Sequence, residues 1–113
     1  MSKTDINRLL EEITTEVRKL LGQKLKSVIL YGSYARGDYD DESDVDIMVL
    51  VDSKGDELKE IEKKVFKIGW DISGDYNIIA TVFANNYDYF HSWTPYMPYF
   101  RNVMNEGVPL YAT

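Results

Sequence analysis

The sequence lacks the residues on which several classes of protein depend. Its 113 residues include no cysteine and a single histidine. Without cysteine the chain can form neither disulfides nor thiolate metal sites, and this absence favours a cytoplasmic location. His91 alone cannot build a histidine-rich zinc site, and a lone histidine argues against a Ser-His-Asp catalytic triad.

Long hydrophobic runs and positive charge are also scarce. No run of about 18 apolar residues occurs, which argues against a membrane span, and the first residues, MSKTDINRLLEE, lack the apolar core of a signal peptide. The formal net charge of −6 argues against binding to duplex nucleic acid, which relies on Lys and Arg to neutralise phosphates. We therefore expect one soluble domain spanning residues 1–113.

The hydrophobic pattern predicts helices that alternate with short strands. Helical spacing predicts a first helix near the start of the chain, another over residues 53–68 that ends at Gly69, and a last one over residues 99–106. Apolar runs predict strands at residues 27–31, 45–51 and 76–83, with a short helical turn at residues 33–37. This order predicts a mixed α/β (α+β) fold, a small mixed β-sheet flanked by helices, with one helical layer against the sheet.

A Gly-Ser pair follows the first predicted strand and opens the short helical turn. Gly32 has no Cβ, so a phosphate can approach the main chain closely. Free N–H groups at the start of a helix favour an anion, and the Ser33 hydroxyl can donate one more hydrogen bond. Because Gly-Ser is also common in ordinary turns, the pair alone does not identify a binding site.

Two aspartates open the second predicted strand. Asp44 and Asp46 are two residues apart, and strand side chains alternate between faces, so both carboxylates are expected on one side. Like charges on one face repel unless a cation lies between them, and carboxylate oxygens suit Mg²⁺. Adjacent strands would bring this pair beside the Gly-Ser turn, as a nucleoside triphosphate with Mg²⁺ requires.

Together these features resemble a known signature. Residues 30–51, LYGSYARGDYDDESDVDIMVLV, resemble the signature of the polymerase-beta-like nucleotidyltransferase superfamily, and more narrowly its MNT (minimal nucleotidyltransferase) family. The matching pattern is an apolar strand, Gly-Ser, Ala-Arg-Gly, an acidic loop, and Ser-Asp-x-Asp before a second apolar strand. The resemblance implies a nucleotidyltransferase fold and a Mg²⁺-dependent nucleotidyltransferase that moves a nucleoside monophosphate, AMP from ATP, onto a hydroxyl group.

The resemblance also implies roles for individual residues. Gly32 and Ser33 would hold the triphosphate, and Asp44 and Asp46 would be the catalytic pair that binds Mg²⁺ and orients the α-phosphate. Arg36 would help to bind phosphate, or would instead pair with the acidic loop through Asp38 or Asp40. Many small MNT proteins look like antitoxins paired with a HEPN-type toxin, which implies a tyrosine of such a partner as the acceptor.

One feature departs from the superfamily pattern. Active members usually carry a third carboxylate on a later strand, whereas the predicted third strand, YNIIATVF, contains no acid. Asp75, just before this strand, and Asn77, within it, are the possible third metal ligands. Two interpretations stay open: a Mg²⁺-dependent enzyme, or a nucleotidyltransferase-like protein that neutralises a partner by contact alone.

Aromatic residues are concentrated near the end of the chain. Residues 87–100 hold seven of the fifteen aromatic residues. They could pack against the open side of a small sheet, or stay exposed as a protein interface, where Tyr and Trp are enriched. Base stacking is a third possibility, although the negative net charge disfavours it. The seven are Tyr87, Tyr89, Phe90, Trp93, Tyr96, Tyr99 and Phe100.

Overall fold

The computed structural model describes residues 3–113, with side chains described from Asp5 onward. No helix in this part of the chain is both long enough and apolar enough to cross a membrane. The elements are α1 (Lys3–Leu21), a 3₁₀ turn (Gly22–Lys24), β1 (Leu25–Tyr31), α2 (Ser33–Arg36), β2 (Val45–Val51), α3 (Gly55–Gly74), β3 (Ala80–Asn86), α4 (Tyr87–Trp93), α5 (Pro98–Glu106) and β4 (Val108–Ala112).

Four strands form one mixed sheet in the order β3-β2-β1-β4. The central pair is antiparallel, and β4 also pairs antiparallel with β1. β3 runs parallel to β2, and α3 makes the crossover that a parallel pair requires. The predicted mixed α/β fold, a small sheet flanked by helices, is therefore confirmed.

Helices cover both faces of the sheet. On one face, residues of β2 such as Ile47 and Val49 pack in a large core with α1 and α3. On the other face, Met48 and Leu50 pack in a smaller core with Phe90 of α4 and residues of α5. The prediction of one helical layer is therefore wrong. β2 is apolar on both faces, so burying it needs helices on each side.

The helix after β2 continues past the glycine at which we predicted it to end. Gly69 lies inside α3, and a Cβ there would be 2.6 Å from Val82 Cγ2 and 3.0 Å from the Ala80 carbonyl oxygen. Gly69 therefore lets the helix approach β3 closely instead of ending the helix. α3 ends at Gly74.

The third strand begins later than its apolar run suggests. β3 spans Ala80–Asn86, whereas we predicted residues 76–83. Asn77 has a left-handed backbone with φ of 54°, which a β-strand does not accommodate. Residues 76–79 therefore precede the strand instead of forming part of it.

Two elements near the end of the chain were not predicted. Asn86 caps α4 by accepting a hydrogen bond from the Tyr89 N–H at 2.8 Å, a signal that the sequence contains. β4 includes Pro109, and proline within a run argues against a strand except at a sheet edge, where β4 lies. The last helix agrees with prediction, beginning one residue earlier at Pro98.

Candidate functional site

The turn between β1 and α2 offers main-chain hydrogen-bond donors. Gly32 has φ of 76° and ψ of −158°, a region that essentially only glycine enters. Its carbonyl oxygen accepts hydrogen bonds from the N–H groups of Ala35 and Arg36, each at 3.1 Å. Helix geometry leaves the N–H groups of Ser33 and Tyr34 without an intrahelical acceptor. These groups are available to an anion at the turn.

The carboxylate of Asp46 lies directly against this turn. A Cβ at Gly32 would be 2.6 Å from Asp46 Oδ2, so the close approach requires glycine. Asp46 is half-buried in β2, and Asp44 is exposed just before that strand. Burial raises the pKa of Asp46, the charge of Asp44 raises it further, and Arg36 lowers it. Four of the predicted site residues are thus close neighbours.

Arg36 pairs with Asp38 of the acidic loop, one of the two roles predicted for it, and also with Glu106 of α5. Its Nε donates to Asp38 Oδ2 at 3.2 Å, and its Nη1 donates to Glu106 Oε2 at 3.1 Å. No ion pair within the described residues joins it to Asp40. Its charge nevertheless acts on Asp46. Both ion pairs are exposed and contribute little stability, so a phosphate could displace either one.

The side chain that β3 brings beside the aspartate pair is a threonine. In the parallel register Thr81 is the partner of Asp46, and paired side chains point to the same face. Asp75 caps the end of α3 and lines a different cavity, together with Asn77. Asn77 also lines a cavity that contains Asp44. We missed Thr81 because the predicted strand began four residues too early.

The aspartate pair has the chemistry of a magnesium site. No group of three or more His, Cys, Asp or Glu side chains that could hold a metal exists among the side chains described from Asp5 to Thr113. Mg²⁺ is commonly bound by one or two carboxylates, with water and substrate phosphates completing its shell. Burial and, second to it, the charge of Asp44 raise the pKa of Asp46, and a cation between the two carboxylates would relieve their repulsion. These two residues would hold the ion.

A pair of tyrosine hydroxyls lies beside the site and was not predicted. Tyr31 ends β1 as the cross-strand partner of Asp46, and its hydroxyl is 2.5 Å from the hydroxyl of Tyr99 in α5. Burial and this hydrogen bond raise the pKa of Tyr31 far above its ordinary value, so the phenol stays neutral. The pair ties α5 to the edge of the site.

The aromatic residues near the end of the chain divide between two roles. Phe90 and Phe100 are buried against the sheet, with ring centroids 4.6 Å apart. The other five are exposed, led by Tyr96 at 75%. Packing against the sheet therefore explains only two of the seven.

Comparisons with known proteins agree with this geometry. Residues 10–101 match the family described as "Nucleotidyltransferase domain". A Methanocaldococcus jannaschii protein, provisionally named a protein adenylyltransferase, is 44% identical over 77 residues, which is 68% of this chain and 76% of that protein. A second protein from this organism with the same provisional name is 28% identical over 92% of this chain and 96% of its own length.

Solved structures share the fold at low sequence identity. A toxin–antitoxin crystal structure with AMP-PNP superposes with a TM-score of 0.61 and 19% identity, over 91% of this chain and 73% of that one. The structure of a tri-AMPylated Shewanella oneidensis HEPN toxin in complex with MNT antitoxin superposes with a TM-score of 0.54 and 17% identity, over 94% and 72% of the two chains.

Proposed function

Because the chain belongs to the nucleotidyltransferase domain family, we propose that it transfers AMP from ATP to a hydroxyl group and releases pyrophosphate. The observation that carries this proposal is the contact between the glycine turn and the aspartate pair. Gly32 leaves room for Asp46 Oδ2 at a distance that no Cβ would allow. Main-chain hydrogen-bond donors for a phosphate therefore lie next to carboxylates that would bind a metal. Transfer of a nucleoside monophosphate requires both groups together.

The proposed reaction needs only a few groups of this chain. The N–H groups of Ser33 and Tyr34, with the Ser33 hydroxyl, would bind and orient the triphosphate. Asp44 and Asp46 would hold Mg²⁺, which supplies positive charge against the charge that develops on the α-phosphate. The acceptor oxygen bonds to the α-phosphorus, the bond from that phosphorus to the bridging oxygen breaks, pyrophosphate leaves, and the hydroxyl proton passes to solvent.

We further propose that the acceptor is a tyrosine of a HEPN-type toxin and that this chain is its antitoxin. The relatives named as protein adenylyltransferases support a hydroxyl on a protein. The fold shared with an MNT antitoxin in complex with a tri-AMPylated HEPN toxin supports this class of partner. These proteins motivate the choice of partner for the test.

The test uses α-labelled ATP, MgCl₂ and a purified HEPN-type toxin as the acceptor. We expect label on the partner from α-labelled ATP and none from γ-labelled ATP. Asp44→Asn with Asp46→Asn should abolish both transfer and Mg²⁺-dependent ATP binding measured by calorimetry. The control variant, Asp52→Asn with Asp56→Asn, removes two negative charges just beyond the opposite end of β2. It should change neither the transfer nor the Mg²⁺-dependent binding of ATP. Equal labelling by both double variants would contradict the proposal.

A second candidate function is neutralisation of the partner by contact alone. It is favoured by Thr81, which stands beside Asp46 where a third carboxylate would complete the metal site. In this case the Asp44→Asn, Asp46→Asn variant would still inhibit the HEPN-type toxin, and no label would transfer from ATP. Loss of inhibition together with loss of label would instead support the enzyme.

A further inference from the structure

A cavity of about 480 Å³ opens beside Asp44, between the end of α3 and the acidic loop. This volume lies in the range of small-molecule sites. Trp70 of α3 and Asn77, which follows that helix, contribute to its walls, and residues 41–44 form the opposite side. Because Asp44 belongs both to the aspartate pair and to the wall of this cavity, the cavity adjoins the candidate metal site.

Trp70 gives this cavity a flat aromatic wall. Its side chain is 61% exposed, although the indole is among the largest apolar groups in the chain. Other apolar residues of α3, such as Ile61 and Val65, are buried in the core. An exposed indole at the wall of a cavity offers a stacking surface for a nucleobase, because every base has an aromatic face.

The side-chain amide of Asn77 gives the cavity a hydrogen-bond donor and a hydrogen-bond acceptor. Its left-handed φ of 54° is one that Asn tolerates better than most residues. The exposed amide has no hydrogen-bond partner among the described residues. An Asn amide can pair with both N6 and N7 of adenine, whereas guanine presents two acceptors on the same edge.

The charge of the opposite wall selects which part of a nucleotide enters. Asp41 and Glu42 line that wall, and their carboxylates repel phosphate. They can accept hydrogen bonds from ribose hydroxyls. The phosphates would then remain at the Gly32 turn, and the neutral end of the nucleotide would enter the cavity.

We propose that this cavity binds the adenine of ATP, with the base stacked on Trp70 and its N6/N7 edge paired with Asn77. The proposal rests on the proposed function, since it needs a triphosphate held at the Gly32 turn. It adds base selectivity: the chain should prefer ATP to GTP.

Fluorescence can test the stacking directly, because the chain contains only two tryptophans, Trp70 and Trp93. Trp93→Phe leaves Trp70 as the reporter, and we expect ATP with MgCl₂ to quench its fluorescence. Trp70→Phe leaves Trp93, in α4 and outside the cavity, and should show no quenching. Quenching of Trp93 alone would overturn the proposal.

Calorimetry tests the contribution of each residue to affinity. Trp70→Leu should weaken ATP binding by about 5- to 150-fold, the range that base stacking contributes. Asn77→Gly keeps the left-handed backbone but removes the whole amide, and should lower the preference for ATP over GTP by a similar factor. Inorganic tripolyphosphate has no base, so both variants should bind it as the unaltered chain does.

The same measurements separate the failure of this inference from failure of the proposed function. If Trp70→Leu leaves ATP affinity unchanged while loss of the aspartate pair abolishes it, the base lies elsewhere and the function stands. If Phe83→Leu weakens ATP binding instead, the base occupies the larger cavity of about 670 Å³ beyond Met48, and this proposal is wrong. If the unaltered chain binds neither ATP nor tripolyphosphate, both proposals fail.

Discussion

Replacing Gly32 with alanine should damage the fold and the site together. The backbone conformation of Gly32, φ 76° and ψ −158°, costs a non-glycine residue about 1–3 kcal/mol. In addition, the new Cβ would lie 2.6 Å from Asp46 Oδ2, closer than real Cβ contacts allow. The carboxylate must therefore move away from the turn, which separates the two halves of the candidate site.

These effects predict two measurable losses. For a chain of this size, about 1 kcal/mol corresponds to roughly 4 °C, so Gly32→Ala should lower the Tm by about 4–12 °C. In the unaltered chain, ATP with MgCl₂ at 100 times its Kd should stabilise the fold by about 2.7 kcal/mol. Gly32→Ala should lose most of that stabilisation because Asp46 is displaced. Thermal unfolding followed by circular dichroism, with and without the ligand, measures both losses.

Gly37→Ala is the matched control. Gly37 also has a positive φ, 84°, but a Cβ there would meet nothing within 4 Å. Its cost should be about 1–2 kcal/mol from the left-handed backbone, partly offset by about 0.4–1 kcal/mol from a less flexible unfolded chain. It should keep the full stabilisation by ATP. If Gly32→Ala keeps that stabilisation too, the turn and Asp46 do not act as one site.

Three further predictions concern two residues of the candidate site, Asp46 and Thr81, and one glycine of the core, Gly69. The folded-state pKa of Asp46 is raised above its unfolded value, so its charge destabilises the fold at neutral pH and this penalty disappears as pH falls below the unfolded pKa. Asp46→Asn should therefore raise the Tm at pH 7 and shift it less at acidic pH. A lower Tm at pH 7 would contradict this. Thr81→Asp should tighten Mg²⁺ binding measured by calorimetry, because it adds a carboxylate beside Asp46; unchanged affinity would show that this side chain does not reach the site. Gly69→Ala should destabilise the fold by about 1–3 kcal/mol in urea titration, because its Cβ would overlap β3, whereas Gly74→Ala meets nothing within 4 Å and should cost less.

Local patterns were enough to find the centre of the candidate site. The glycine turn requires a residue without a Cβ, and the aspartate pair opens an apolar strand, so both signals lie within a few residues of chain. β2 spans Val45–Val51 as predicted, and α2 begins at Ser33 as predicted. These features depend on residues that are close in sequence, so the motif can be recognised before the fold is known.

Long-range packing determined the features that the sequence did not predict correctly. Gly69 lies inside α3 because β3 packs against it, and an isolated glycine near the end of a helical pattern cannot be told from a helix stop. Thr81 faces Asp46 because of a parallel register that depends on where β3 begins. Trp70 and Asn77 meet Asp44 in one cavity only because α3 returns the chain to the start of β2. Such juxtapositions join residues distant in sequence, so no local pattern encodes them, and only the packed sheet and helices bring them together.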